Sequence, residues 1–257
     1  MPTITVENAQ VKYRTEGTGP GLVLVHGVGP GAMVWDRTYD DFADRSTVIL
    51  PDLSGSDPVE DDGADLTVGM LAAQVAAVIE DSGKAPVDLL GYSLGSSVAV
   101  AVAATRPELV RRLILVAGFS HPDDQYLRNV MTLWLNLRGD ADSFGRLAAV
   151  TAYSRGFLNS IGSEGVEAAN SFMQPVPGRL RQVDLCLRVD VRDLLPRVQA
   201  ETLVIGTALD ALIPVEYSRE IHAAIPGSAY AEVDCGHVIG LEKPEEFRKL
   251  VRDFIHR

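Results

Sequence analysis

With only two cysteines, Cys186 and Cys235, and no CxxC spacing, the chain has no disulfide framework to staple it and no cysteine-based metal or redox motif. Both are expected to be free thiols, with Cys235 a small apolar filler two residues before His237. Basic residues are also few. Against 35 Asp and Glu stand 23 Lys and Arg, a formal net charge of −12 that repels phosphate polymers and anionic lipid. No apolar run approaches the roughly 20 residues that span a bilayer. Met1-Pro2-Thr3-Ile4 does not open a basic and then apolar secretory leader. The expectation is a cytoplasmic protein with neither nucleic acid nor membrane as partner. HExxH, a Cys/His cluster and G-x-x-x-x-G-K-[ST] are all missing, and Gly27-Val28-Gly29-Pro30-Gly31 does not match the dinucleotide fingerprint. No metal and no cofactor are therefore predicted.

What is present is an ordinary globular composition, 46% hydrophobic and 23% charged, enough for one core in one domain. Short β-branched runs alternate with helical stretches, the pattern of a mainly parallel sheet covered on both faces. Thr3–Glu7 and Gln10–Arg14 read as an edge hairpin. The spacing predicts strands at Leu22–Val25, Thr47–Leu50, Val87–Leu90, Leu113–Val116, Thr202–Ile205 and Ala229–Val233. Helices are predicted over Met33–Ala43, Leu66–Ser82, the stretch from Ser93 to about Pro107, Val215–Ile225 and from Pro244 onward. The Gly-, Pro- and acid-rich stretch Ser54–Asp65 reads as an exposed loop. Between 120 and 191 the alternation lapses into helical sequence, so residues 1–119 and 192–257 are expected to form the core and 120–191 an inserted helical cap.

Gly91-Tyr92-Ser93-Leu94-Gly95 matches G-x-S-x-G at a predicted strand-to-helix junction. Small residues two before and two after Ser93 let strand and helix approach closely, and a helix N-terminus favours developing negative charge. A serine needs a base, and the base an orienting carboxylate. His237 and Asp210 each fall on a loop after a predicted strand, in the chain order Ser, Asp, His. His222 and His256 read as solvated, and His26 as a buttress of its own turn. A tetrahedral intermediate also requires N–H donors. Leu94 can supply one from its backbone and Val28, in the glycine-rich turn, the other.

The His26-Gly27 turn, Pro51-Asp52, the serine elbow, the Asp210 loop and Gly236-His237 together resemble the α/β-hydrolase superfamily, over nearly the whole chain outside the cap. The resemblance implies the α/β-hydrolase fold, with a mostly parallel central sheet, helices on both faces and an inserted helical cap. The stretch His26–Gly31 is similar to the turn of the meta-cleavage-product hydrolases, which cut carbon–carbon bonds. That subfamily usually carries Asn before the serine and Met after it, where this chain has Tyr92 and Leu94. Relatives often show Gly-x-Gly after Pro-Asp, where this chain has Gly55-Ser56-Asp57. Ser at the elbow argues against the chemistry of haloalkane dehalogenases and epoxide hydrolases, whose nucleophile is a carboxylate.

The expected activity is hydrolysis of a carboxylic ester, lactone or thioester of a small, moderately apolar molecule through an acyl-enzyme. Two alternatives stand beside it: carbon–carbon hydrolysis of the meta-cleavage type, and a ligand-binding protein on a hydrolase scaffold. Trp134, Tyr153, Phe157 and Met173 of the cap are candidates to meet the substrate. The expected partner is a small molecule, and a homo-oligomer is left open.

Overall fold

A computed structural model describes residues 1–256. The strands are β1 (Thr3–Val6), β2 (Ala9–Glu16), β3 (Gly21–Val25), β4 (Thr47–Pro51), β5 (Val87–Tyr92), β6 (Val110–Val116), β7 (Glu201–Thr207) and β8 (Ala229–Val233). They form one sheet in the order β1-β2-β4-β3-β5-β6-β7-β8. β1 and β2 pair antiparallel, as do β2 and β4, and from β4 to β8 every neighbour is parallel. β3 and β4 are buried at every residue, which explains their uninterrupted apolar sequence: a strand covered on both faces has no polar side to show.

The helices are α1 (Asp40–Ala43), α2 (Val68–Asp81), α3 (Leu94–Thr105), α4 (Gln125–Asn136), α5 (Ala141–Ala152), α6 (Arg155–Phe172), α7 (Pro177–Cys186), α8 (Val215–Ala224), α9 (Ile239–Glu242) and α10 (Pro244–Ile255). α2 and α3 pack on one face of the sheet, among Val75, Ile79, Val98 and Val102. α10 closes the other through Phe247, Val251 and Phe254. Leu94 to Ala104 is buried throughout, so this central helix is built of Ala, Val, Gly and Ser. Its two buried hydroxyls are satisfied: Ser96 Oγ donates to Gly91 O (2.7 Å) and Ser97 Oγ to Phe119 O (2.6 Å).

Register decides where the strands end. Val25 lies beside Gly91, Tyr92 beside Val116, Val116 beside Ile205 and Thr207 beside Val233. The loops carrying Val28, Ser93, Asp210 and His237 therefore leave the same edge of the sheet. β3 sits between β4 and β5, so the chain crosses in opposite directions on either side of it, a place where open parallel sheets leave a crevice.

Two expectations need correction. Met33–Ala43 is not one helix but a 3-10 turn (Ala32–Trp35) and the four-residue α1. Thr38 Oγ donates back to Trp35 O (3.2 Å) and Asp36 pairs with Arg14 (2.5 Å), and these bonds hold the break. Ser54–Asp65 is a loop, but Ser54, Gly55 and Ser56 are buried. Ser54 is held by Gln74, whose Oε1 accepts its N–H (3.0 Å) and whose amide donates to its Oγ (2.8 Å).

Candidate active site

Ser93 occupies the turn between β5 and α3 with φ 57° and ψ −125°, a left-handed conformation that side chains rarely adopt. Neighbouring close approaches enforce it. A Cβ at Gly91 would lie 2.3 Å from Gly95 O, and one at Gly95 would lie 2.5 Å from both His26 O and Val25 O. The elbow thus needs glycine at both flanks, and the bond from Ser93 N to Val116 O (2.9 Å) anchors it to β6.

Asp210 is buried and accepts four hydrogen bonds. Leu212 N (2.9 Å) and Ile213 N (2.8 Å) donate to Oδ1, and Thr207 Oγ (2.9 Å) and His237 Nδ1 (2.6 Å) to Oδ2. These bonds replace the water a carboxylate loses on burial. The carboxylate, able only to accept, assigns the imidazole proton to Nδ1 and leaves the Nε2 lone pair as a base. The Tyr92 ring lies 5.0 Å from the imidazole and its hydroxyl donates to His237 O (3.2 Å), with burial holding that phenol well above its ordinary pKa. Ser93 Oγ itself makes no hydrogen bond among the described residues.

Val28 and Leu94 carry backbone N–H groups that find no protein acceptor among the described residues. The turn bearing Val28 is fixed from two sides. His26 is buried, with Nδ1 donating to Gly27 O (2.7 Å) and Nε2 accepting from Leu53 N (3.1 Å); burial lowers its pKa. Gly29 N donates to Gln182 Oε1 of α7 (2.9 Å). Gln182 is not signalled by any sequence motif.

Ser93, His237 and Val28 open on a cavity of about 560 Å³ between the strand ends and the helices that follow β6. Its volume is typical of a site for a small organic molecule. Trp134, Tyr153, Phe157 and Met173 all line it. So do Ile161, four residues after Phe157, and, beyond the kink at the non-helical Gly162 (φ 66°), Gly165, Ala168, Ala169 and Phe172 at three- and four-residue spacing. That stripe faces the chamber rather than the protein core, since Asn170 is the one fully buried residue of α6. Cys186 also reaches the wall, but burial pushes its thiol pKa up to about 12, so it is an inert surface there. Cys235 is buried and does not line the cavity. His222 is not solvated as expected: it is half-buried, bonded to Ser228 Oγ (2.8 Å) and stacked on Tyr230. Asp57 of the departing Gly55-Ser56-Asp57 stretch accepts from Arg179 (3.0 Å) and is not on the cavity wall. Among the described residues no group of His, Cys, Asp and Glu is placed to hold a metal ion, and no helix is long and apolar enough to cross a membrane.

The model of the Alpha/beta hydrolase family matches residues 22–250. The chain belongs to the α/β-hydrolase family. The chain is therefore a hydrolase enzyme. It is 39% identical to pyrrolizixenacetamide deacetylase of Xenorhabdus hominickii over 99% of this chain and 98% of that one. It is 31% identical to 2-hydroxymuconate semialdehyde hydrolase of Pseudomonas sp. (strain CF600), over 98% and 92% of the two chains. The crystal structure of the enol-lactonase from Burkholderia xenovorans LB400 superposes with a TM-score of 0.87, at 20% identity, covering all of both chains. The family resemblance drawn from the elbow and the two loops is thus correct, as is the likeness to the meta-cleavage hydrolases.

Proposed function

We propose that this α/β-hydrolase transfers the acyl group of a small, apolar carboxylic acid derivative to water through an acyl-enzyme on Ser93. The observation that carries the reading is a serine held at φ 57° and an Asp210-bound His237 opening on one apolar chamber. His237 Nε2 takes the proton of Ser93 Oγ as the oxygen attacks the carbonyl carbon, and the oxyanion is met by the N–H groups of Val28 and Leu94. Collapse breaks the bond to the leaving group, which receives the proton from the imidazolium. Water then gives a proton to His237 and attacks the acyl carbon, and as the bond to Ser93 Oγ breaks the imidazolium returns that proton to the serine, freeing Ser93 and the acid. Asp210 keeps the imidazole in the required tautomer throughout.

The substrate class comes from the walls. Residues 120–191 act as the cap, and α6 presents its apolar stripe to the ligand, so an uncharged body with aliphatic or aromatic surface fits best. Esters, lactones and thioesters are the direct candidates. The 39% identity to a deacetylase favours a second reading, removal of a small acyl group from nitrogen by the same steps.

The test is turnover of a panel of nitrophenyl esters of rising chain length, a lactone, a nitroanilide of acetic acid and a coloured ring-fission dienoate, with Ser93→Ala beside the wild type. Hydrolysis of esters or the anilide by the wild type alone is the expected result. Loss of dienoate colour with no ester turnover would move the reading to carbon–carbon cleavage. Tight ligand binding without any turnover would move it to a binding protein.

A further inference from the structure

The loop that carries His237 is held from the α5–α6 corner and by Glu242, the last residue of α9. His237 N donates to Ala152 O (2.7 Å), the last residue of α5. Gly236 N donates to Glu242 Oε2 (3.1 Å). That same carboxylate accepts from Ser154 twice, Oγ to Oε2 (2.6 Å) and N to Oε1 (2.8 Å). Ser154 is the N-cap of α6, its Oγ accepting from Phe157 N (3.2 Å). We propose that Glu242 is a positioning residue for His237, joining the α5–α6 corner of the cap to the loop of the base; this rests on the reading of Ser93 and His237 above.

The geometry is that of a built joint. A Cβ at Gly236 would lie 2.5 Å from Ser154 N, 2.6 Å from Glu242 Oε1 and 2.8 Å from Ala152 O, so only glycine lets the corner seat against the loop. Glu242 forms no ion pair among the described residues. Its carboxylate works as an acceptor for three donors, two on the cap and one beside the base. With Nδ1 on Asp210, the N–H on Ala152 O and the carbonyl on Tyr92 Oη, His237 keeps only Nε2 free to act on Ser93. Tyr153, between the two corner residues, lines the chamber and stacks on Phe157 at 5.4 Å. The wall that meets the substrate and the stop that aims the base are therefore one segment.

Misplacing a reacting group by about 1 Å costs on the order of 10²-fold in rate. Glu242→Ala, which frees all three donors, is expected to lose about that much kcat per active site titrated with a fluorophosphonate, with KM within about twofold. Glu242→Gln keeps the length and one acceptor oxygen, so it should fall about tenfold and serves if the alanine variant does not fold. The downfield proton resonance of the His237 Nδ1–H, recorded without substrate, should broaden in both variants as the Asp210 bond loosens. A lowered melting temperature with kcat per titrated site and this resonance unchanged would overturn the proposal, leaving Glu242 a purely structural tie. A wild type that shows the resonance but takes no fluorophosphonate would instead sink the reading of Ser93, while the resonance in the variants would still decide the role of Glu242.

Discussion

At the scale of single residues, the proposed reaction separates groups that do chemistry from groups that hold them. Asp210 is of the second kind. Asp210→Asn keeps the shape but offers an N–H where His237 Nδ1 needs an acceptor, favouring the wrong tautomer. A fall of about 10⁴-fold in kcat, with folding intact by circular dichroism, is expected. His26 predicts a pH effect on stability. Burial depresses its pKa in the folded state, so the unfolded chain binds the proton first as pH falls through its ordinary value near 6.5. Its contribution is present above that value and is lost below it, at up to about 1.4 kcal/mol per pH unit. Melting temperature should fall more steeply between pH 7 and 5 for the wild type than for His26→Gln; equal slopes would show that His26 is not buried neutral. The strained turn at Ser93 and the pairing of Asp210 with His237 were legible in sequence because such a turn demands glycines at fixed offsets and the two partners follow strands in order. Gln182 and Glu242 were not legible, because their value lies in partners 153 and 88 residues away, which only the packed chain brings within bonding distance.

At the scale of elements, α7 does more than roof the chamber. Gln182 holds the turn that carries Val28, and Arg179, buried one turn earlier, donates to Asp57 Oδ1 (3.0 Å) and Gln174 O (2.8 Å). Removing the Gly29 acceptor with Gln182→Leu should loosen Val28, a donor of the proposed oxyanion site, and lower kcat about tenfold, less than the 10² or more that follows outright loss of such a donor. KM should barely move, and a KM effect alone would place Gln182 in substrate binding. Periodicity located the strands to within a few residues, since a doubly covered sheet writes itself as apolar runs. It failed at Met33–Ala43, where side-chain bonds to Trp35 O and Arg14 override helical propensity. The exposed-loop reading of a Gly-, Pro- and acid-rich stretch also misjudged Ser54–Ser56, which are buried because Gln74 satisfies Ser54 and Leu53 O accepts from Ser56 Oγ.

At the scale of the whole molecule, the sheet fixes where the loops meet and helices α4 to α7 bound the space in front of them. The chamber's capacity should therefore be tunable without touching the chemistry. Ala169→Phe on α6 adds a ring to the wall. Excluding a side-chain-sized part of a substrate forfeits about 1.5–3 kcal/mol of apolar burial, roughly ten- to a hundredfold in kcat/KM. Long-chain esters should suffer that loss while an acetyl ester is nearly unaffected; uniform loss across the series would mean that the stripe does not meet the substrate. The helical interruption between 120 and 191 was legible in the sequence, and Trp134, Tyr153, Phe157 and Met173 within it line the cavity. That α6 would turn its apolar face to an open chamber rather than to the core was beyond periodicity, which reports a stripe but not what covers it.

The most direct measurement is intact-mass and peptide mapping of the protein after exposure to a fluorophosphonate. The account predicts one adduct, on Ser93, absent from Ser93→Ala and formed far more slowly in His237→Ala. An adduct on another residue, or a wild type left unmodified, would contradict an activated serine at the head of this chamber.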